Sequence, residues 1–228
     1  MEAENEHQRA LFNDIAKDYD ERSVALSWGG LRSWHRAACA WLKIAPGDHV
    51  LDVGCGTGVV LRRCAARVEG RGTFVGLDRS AAMLDIARRC DRSTGGAGIH
   101  WIEADGQNLP FADSTFDWVT AQFSLRNMAE WEHALREMVR VLKPAGHLVI
   151  LDLVRPRAGF GRAALFYINL VTRLPGLGPY QEIPRSVTRF ATGPQLLTAI
   201  DAALPVGAVK EWVGGLVMLV VARKGLCA

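Results

Sequence analysis

The pattern of apolar residues along most of this chain switches between two forms, one typical of strands and one typical of helices. Short apolar runs predict strands at residues 50–53, 73–77, 99–103, 116–122 and 147–154, and apolar residues at helical spacing separate most of these runs. This alternation indicates an α/β fold built on a parallel sheet. Two further runs, 209–213 and 216–222, flank Gly214 and Gly215 and predict a C-terminal antiparallel hairpin. The expected sheet therefore has seven strands, one of them antiparallel.

The regions around this core differ in pattern, so we expect one domain, residues 1–228, with four parts. Residues 1–45 have two helical apolar stripes and predict a helical lid over the ligand edge of the sheet, although simple core packing would explain most of their aromatic residues equally well. Residues 46–156 form the core, and 193–228 the last helix and the hairpin. The apolar segment inside 157–192 would line an acceptor pocket, rest on a membrane or join the core.

Composition and charge exclude several classes of protein. The formal net charge is only +3, and no basic run carries interleaved aromatic residues, so nucleic acid is not the expected partner. The five cysteines are scattered without metal-ligand spacing, which predicts reduced thiols and no metal site. The polar N-terminus is not a signal peptide, and no apolar run approaches the roughly 20 residues that span a bilayer. A cytoplasmic protein is expected.

The most informative motif is HVLDVGCGTG, residues 49–58. A strand carrying Asp52 leads into Gly54, Gly56 and Gly58, and a helix follows, so the turn allows a ligand to approach the backbone closely. Dinucleotide turns have the spacing G-x-G-x-x-G, whereas this one is acid-x-G-x-G-x-G. A carboxylate here repels phosphate and favours a cation. S-adenosylmethionine, which has an ammonium, a sulfonium and no phosphate, suits this turn better than NAD.

Two more acids follow later strands. Asp78 ends the second strand, 20 residues beyond Gly58, where such folds place a carboxylate on a ribose diol. Asp105 follows the third strand and would accept the exocyclic amine of adenine, with the Gly106 backbone against the ring. The alternatives are a helix cap for Asp78, although Ser80 is better placed to cap, and a solvated loop acid for Asp105.

Taken together, these residues resemble the class I S-adenosylmethionine-dependent methyltransferases with their Rossmann-like sheet, and above all the ubiquinone/menaquinone-biosynthesis C-methyltransferases of the UbiE/MenG type. The most specific likenesses are FNDIAKDYD at 12–20, LSWGGLRSWHR at 26–36 and LPFADSTFDWVTAQFSLRN at 109–127. The resemblance implies S-adenosylmethionine as cofactor and a prenylated hydroquinol as acceptor, methylated on carbon. It places these residues in the cofactor site: Asp52, Gly54, Gly56, Thr57, Asp78, Asp105, Gly106 and Gln122.

The same resemblance implies the acceptor side. Arg126 and Asn127 belong to the LRN motif and would face the acceptor, while Tyr19 would reach it from the lid. Arg126 would stabilise a phenolate, and Tyr19 or His35 would relay its proton. The competing interpretations are a surface or sheet-edge cation for Arg126 and a structural role for His35, which is the stronger interpretation for that histidine.

Four departures from the family pattern bear on the acceptor: Ser23 replaces the usual Asn, Val59 an acid, Ser124 a Gly and Gln122 a Ser. They keep two alternatives open, a methyltransferase of the same fold that acts on a soluble natural product and a non-catalytic subunit that binds S-adenosylmethionine. The sequence also leaves open a homodimer and a transient contact with the inner face of the membrane.

Overall fold

The computed structural model of the chain describes residues 2–93 and 98–226. A seven-stranded sheet forms its centre, in the order β3-β2-β1-β4-β5-β7-β6. Its strands are β1 (His49–Val53), β2 (Thr73–Asp78), β3 (His100–Glu103), β4 (Phe116–Gln122), β5 (Leu142–Leu153), β6 (Val206–Trp212) and β7 (Val217–Arg223).

The sheet is parallel except at β7, which runs antiparallel to both β5 and β6. The predicted seven-stranded sheet with one antiparallel strand is therefore confirmed. Strand β1 pairs with β2 on one side and with β4 on the other. The chain connections diverge from this point, and ligands of open α/β sheets bind in the crevice that such a divergence leaves at the carboxyl ends of the strands.

Two buried apolar clusters pack against the sheet, because successive strand residues point to opposite faces. On β4, for example, Val119 belongs to one cluster and Trp118 to the other. The helices are α1 (Glu2–Ile15), α2 (Tyr19–Leu26), α3 (Gly30–Trp41), α4 (Val59–Arg67), α5 (Ala81–Ser93), α6 (Trp131–Val141), α7 (Gly159–Val171), α8 (Glu182–Arg189) and α9 (Gly193–Asp201). Helices α6 and α9 contribute to the first cluster, and α3, α4 and α8 to the second.

Two element boundaries differ from the prediction. Helix α6 ends at Val141 and β5 begins at Leu142, which pairs with Phe116, although the apolar stripe predicted helix through Leu142 and a strand only from residue 147. A register shift between Phe116 and Trp118 accommodates the intervening turn-like residues. Strand β6 spans Val206–Trp212 rather than 209–213. Because β6 is an edge strand with several exposed residues, its hydrophobic pattern is weak, and the sequence did not indicate where the strand begins.

Residues 2–41 are largely helical, as the sequence predicts, and the apolar segment after residue 157 forms α7. The division of the chain at residues 45, 156 and 192 stays a prediction. Within the part of the chain that the structure describes, no helix has both the length and the apolar character needed to cross a membrane.

Candidate active site

The glycine turn directly follows β1. Gly54, Gly56 and Gly58 have φ angles of 71°, 53° and 77°, in the left-handed region that favours glycine. The amides of Gly54 and Cys55 both donate to the carbonyl of Leu77, at 2.7 and 3.0 Å, and so fix the turn against the end of β2. A Cβ on Gly54 would lie 2.4 Å from the Cβ of Ser124. This position therefore requires glycine for two independent reasons.

Asp78 connects the turn to the next helix. One carboxylate oxygen accepts the Gly56 amide at 2.8 Å and the other accepts the Ser80 amide at 2.9 Å. Burial raises the pKa of Asp78, while these backbone N–H groups oppose the shift. The Ser80 hydroxyl accepts the Met83 amide at 3.2 Å and caps α5, as predicted. Asp78 thus stands at the cleft as a carboxylate organised by backbone amides.

A narrow cleft of about 100 Å³ opens above the turn. Arg79 forms an ion pair with Asp105 at 3.8 Å on its far side. Gln122 lies at the end of β4, and its Oε1 is buried without a hydrogen-bond partner. Six of the eight cofactor residues expected from the sequence line this cleft: Gly54, Gly56, Asp78, Asp105, Gly106 and Gln122.

The other two expected cofactor residues lie outside the cleft wall. Asp52 is 1% exposed and is the next-to-last residue of β1, one of its oxygens has no partner, and burial raises its pKa well above the ordinary value. Thr57 donates its hydroxyl to the Asp20 carboxylate at 3.0 Å and so connects the turn to α2. Their roles in cofactor binding stay predictions.

A second, larger cavity of about 590 Å³ adjoins the cleft. Its lining is mostly apolar and comes from α1, α2, α3, α7 and the segment before α8. Five residues line both spaces and so form the boundary between them: Gln8, Phe12, Tyr19, Phe123 and Asn127. The geometry places a polar, backbone-lined cleft beside a hydrophobic cavity, an arrangement that fits transfer of a group from a polar ligand to an apolar one.

Arg126 brings the clearest charge to the apolar cavity. Its Nη1 donates to the carboxylate of Asp152 at 2.7 Å and to the Phe123 carbonyl at 2.5 Å. Both side chains of the ion pair are buried, at 7% exposure for Arg126 and 0% for Asp152. Asp152 also accepts the backbone amides of Arg126 and Leu153. The interpretation of Arg126 as a surface cation is therefore wrong: it is a buried, oriented guanidinium.

Comparison with known proteins decides what kind of site this is. Residues 1–179 match the model of the ubiE/COQ5 methyltransferase family. The chain belongs to this family. It is 33% identical over 208 residues, 86% of its length and 83% of the relative's, to a demethylmenaquinone methyltransferase of Symbiobacterium thermophilum. It is 37% identical over 224 residues, 95% of its length and 98% of the relative's, to a 2-phytyl-1,4-naphtoquinone methyltransferase of Thermosynechococcus vestitus.

A solved structure shows the same fold. The chain superposes on a SAM-dependent methyltransferase from Aquifex aeolicus with a TM-score of 0.62 and 23% identity, over 83% of this chain and 88% of that one. As a member of the ubiE/COQ5 methyltransferase family, the chain is an S-adenosylmethionine-dependent methyltransferase, and the predicted family, enzyme class, fold and cofactor are confirmed.

The residues present fit this cofactor. The unpartnered Oε1 of Gln122 can accept from an ammonium, and Asp78 and Asp105 offer carboxylates to hydroxyl and amine donors. The absence of a side chain at Gly54 lets the turn pack directly against Ser124 at the end of β4, and Gly54 and Gly56 both line the cleft. These donor and acceptor types match a ligand with an ammonium, a ribose and an adenine, and they provide no cradle for a phosphate.

Three further residues expected on the acceptor side, Tyr19, Asn127 and His35, differ in their placement. Tyr19 is half-buried, and desolvation raises its pKa while the nearby Arg126 opposes the shift, so it is a neutral phenol at neutral pH. Asn127 donates to the Phe123 carbonyl at 3.3 Å. His35 packs against Phe123 with ring centroids 5.4 Å apart and does not line the cavity, and burial lowers its pKa to about 4. This placement favours the structural role for His35 over proton relay.

Sequence reasoning missed four residues of the site. Asp152 carries a usable signal, because an acid inside the apolar run of β5 needs a partner. Asn13 and Asp20 fix α1 and α2 to the cleft: Asn13 accepts from Ser80 Oγ at 2.7 Å, and Asp20 accepts from Thr57. Both lie in the FNDIAKDYD motif. Tyr180, from the segment before α8, lines the cavity without a sequence signal.

Proposed function

We propose that this enzyme transfers a methyl group to a ring carbon of a prenylated quinol of the demethylmenaquinol type. The observation that carries the proposal is the apolar cavity beside the cofactor cleft, with the paired Arg126 in its wall. The cavity suits a hydrophobic ring and the first part of its prenyl chain, and the guanidinium suits a ring oxygen. The names of the two relatives, which refer to demethylmenaquinone and to a phytylated naphthoquinone, support the same class of acceptor.

The proposed mechanism depends mainly on position. S-adenosylmethionine supplies a methyl group already activated on a sulfonium. The protein must hold the ring carbon about 3 Å away and in line, and must exclude water. Tyr19, Phe123 and Asn127 stand at the boundary of the two spaces and would define that alignment. As the new carbon–carbon bond forms, the carbon–sulfur bond breaks, and the ring later loses the proton from the methylated carbon.

Arg126 would make the ring carbon nucleophilic. Two hydrogen bonds occupy its Nη1, whereas Nε is buried without a partner. A phenolate oxygen at the unpaired edge of the guanidinium would accept a charge-assisted hydrogen bond in an apolar setting, where such bonds are strongest. Asp152 fixes the orientation of the guanidinium and balances its charge. Tyr19, near Arg126, would pass on the phenolic proton.

The decisive experiment is a transfer assay with S-adenosylmethionine labelled in its methyl group. A demethylated prenyl-naphthoquinol, kept reduced, is compared with a panel of soluble phenols and amines. Label on the quinol ring carbon supports the proposal. Label on soluble acceptors alone would contradict it and would favour the natural-product methyltransferase, to which the departures at Ser23 and Ser124 point. Tight cofactor binding without any turnover would favour the non-catalytic subunit.

We further propose that the mouth of the cavity rests on the inner face of the membrane. Trp28, Phe160 and Tyr167 line the cavity and are also 82%, 70% and 43% exposed. Phe166 and Leu170 extend this apolar surface along α7, at 70% and 58% exposed. The exposed cations Arg162 and Arg173 lie on and just beyond the same helix. Apolar side chains with flanking arginines suit an anionic lipid surface.

Vesicle flotation tests this second proposal. The double variant F166S/L170S changes exposed residues that do not line the cavity, and it should float less with vesicles containing anionic lipid while turnover of a detergent-dispersed quinol is retained. V209S, which changes an exposed apolar residue on β6, is the control and should float like the unaltered protein. Equal flotation of all three proteins would refute the membrane contact.

A further inference from the structure

Tyr180 has a buried hydroxyl that the fold leaves unused. It lies in a single 3₁₀ turn, Gly178–Gln181, and is 3% exposed. The side chain lines the acceptor cavity, and its hydroxyl is one of the buried polar atoms without a hydrogen-bond partner. Leaving a buried hydroxyl unpaired is unfavourable, and a phenylalanine would fill the same space without that penalty. The folded protein alone gives no reason for the oxygen atom.

The same cavity wall contains a second unpaired donor. Arg126 Nε is also buried without a partner, while Nη1 of the same guanidinium donates to Asp152 and to the Phe123 carbonyl. Burial and the neighbouring Tyr19 raise the pKa of Tyr180 to about 12, so its hydroxyl remains a donor at neutral pH. A mostly apolar cavity therefore presents two hydrogen-bond donors from separate parts of the chain.

We infer that Tyr180 recognises the second ring oxygen of the acceptor. This inference rests on the proposed function and deepens it. A 1,4-hydroquinol has two oxygens on opposite sides of one ring. Arg126 would bind the oxygen next to the carbon that is methylated, and Tyr180 would donate to the oxygen across the ring. Tyr180 is then a specificity-determining residue that distinguishes a hydroquinol from a phenol with one oxygen, because binding the phenol leaves its hydroxyl unpaired.

The test is the variant Y180F, assayed on two acceptors. One is the demethylated prenyl-naphthoquinol, and the other is the prenyl-naphthol that keeps only the oxygen next to the reacting carbon. For the quinol we expect kcat/KM to fall about 10-fold, and for the naphthol we expect it to change less than about twofold. The preference for quinol over naphthol should therefore collapse in Y180F. Thermal unfolding without acceptor should show equal or higher stability, because an unpaired buried donor is removed.

Each other outcome identifies what has failed. If Y180F keeps the quinol preference of the unaltered enzyme, or loses activity equally on both acceptors, the inference is wrong and the proposed function stands. If the unaltered enzyme methylates neither acceptor while it turns over a soluble substrate, the proposed function fails and the inference fails with it. Lower thermal stability of Y180F would show that the hydroxyl supports the fold, which would also overturn the inference.

Discussion

The cofactor cleft and the acceptor cavity lie side by side but are constructed differently. The cleft, about 100 Å³, is shaped by the glycine turn and by strand ends whose carboxylates are held by backbone amides. The cavity, about 590 Å³, is shaped by side chains from α1, α2, α3, α7, the segment before α8 and the start of α8. Its wall includes Arg126, which forms a buried ion pair with Asp152 behind it. One site is thus defined by local backbone, and the other by packing between distant segments.

This difference sets how each site responds to change. A site made by backbone tolerates side-chain substitution except where a side chain must be absent, as at Gly54. A site made by packed side chains can be re-shaped one residue at a time, which allows acceptors to diverge within a common fold. Of the four departures from the family pattern, only Ser23 lines the acceptor cavity, whereas Gln122 and Ser124 line the cleft and Val59 lines neither space. The expectation that these departures bear on the acceptor therefore holds for Ser23 alone.

The largest effect is expected from R126L. Leucine leaves the Asp152 carboxylate buried without its cation, so the free energy of unfolding should fall by about 3–5 kcal/mol. Methyl transfer to the quinol should be lost, because the phenolate has no counter-charge. The affinity for S-adenosylmethionine should stay within about twofold, since Arg126 does not line the cleft. Urea denaturation, the labelled-methyl assay and cofactor titration measure the three quantities.

The double variant R126L/D152L is its control. Apolar replacement of a whole buried ion pair is often neutral for stability, so the double variant should recover most of the lost unfolding free energy while turnover stays absent. Recovery of turnover together with stability would show that the pair only supports the fold, and the electrostatic distinction between cleft and cavity would disappear.

On the cleft side, the variant G54A should lower the affinity for the cofactor. The new Cβ would meet Ser124 at 2.4 Å, and the residue would remain at φ 71°. We expect the affinity for S-adenosylmethionine to fall roughly 10-fold or more, because the turn must shift. Isothermal titration provides the measurement.

G47A provides a matched control for backbone strain. Gly47 has φ 97°, and no atom lies within 4 Å of the position that a Cβ would take, so alanine there introduces strain without a clash. It should lower stability by about 1 kcal/mol and leave cofactor affinity unchanged. Equal losses of affinity in G54A and G47A would mean that strain, rather than the close approach to Ser124, determines the shape of the cleft.

The same contrast explains what the sequence could predict. The glycine spacing of residues 54–58 and the acids after two strands are local patterns. Gly54, Gly56, Asp78 and Asp105, which these patterns single out, line the cleft, and their roles in cofactor binding stay predictions. Tyr180 reaches the cavity, and Asp152 reaches Arg126 in its wall, through folding of distant segments, and no local spacing predicts such contacts. Thr57 belongs to the local motif, yet its hydroxyl is bound to Asp20 of the lid, a long-range contact that periodicity cannot reveal.

Acid should lower the stability of the protein through His35, which packs on the wall that the two sites share. His35 packs on Phe123, which lines both spaces, and burial lowers its pKa to about 4. The unfolded chain, with a histidine pKa near 6.5, then binds the proton more readily, so the free energy of unfolding should decrease as pH falls from about 6.5 toward 4. Between pH 7 and pH 5 the loss should be on the order of 1 kcal/mol larger in the unaltered protein than in H35Q.

Urea denaturation at both pH values measures this difference. H100Q, which changes an exposed histidine in β3, should keep the slope of the unaltered protein. If H35Q also kept that slope, acid sensitivity would arise elsewhere and the shared wall would not be its source.

The smallest effect should come from T57V, at the contact that joins the lid to the glycine turn. Thr57 donates to both oxygens of Asp20 at 3.0 Å and is 5% exposed, so valine removes a charge-assisted hydrogen bond while preserving shape. Losing about 1 kcal/mol from the contact between α2 and the glycine turn should speed cofactor dissociation roughly fivefold, with little change in kcat. T198V, which changes an exposed threonine of α9, is the control, and the cofactor should dissociate from it at the rate seen with the unaltered protein. If acceptor turnover slowed while cofactor release stayed unchanged, the contact between Thr57 and Asp20 would act on the cavity and not on the cleft. In that case, loosening α2 would open the cavity and leave the cleft closed.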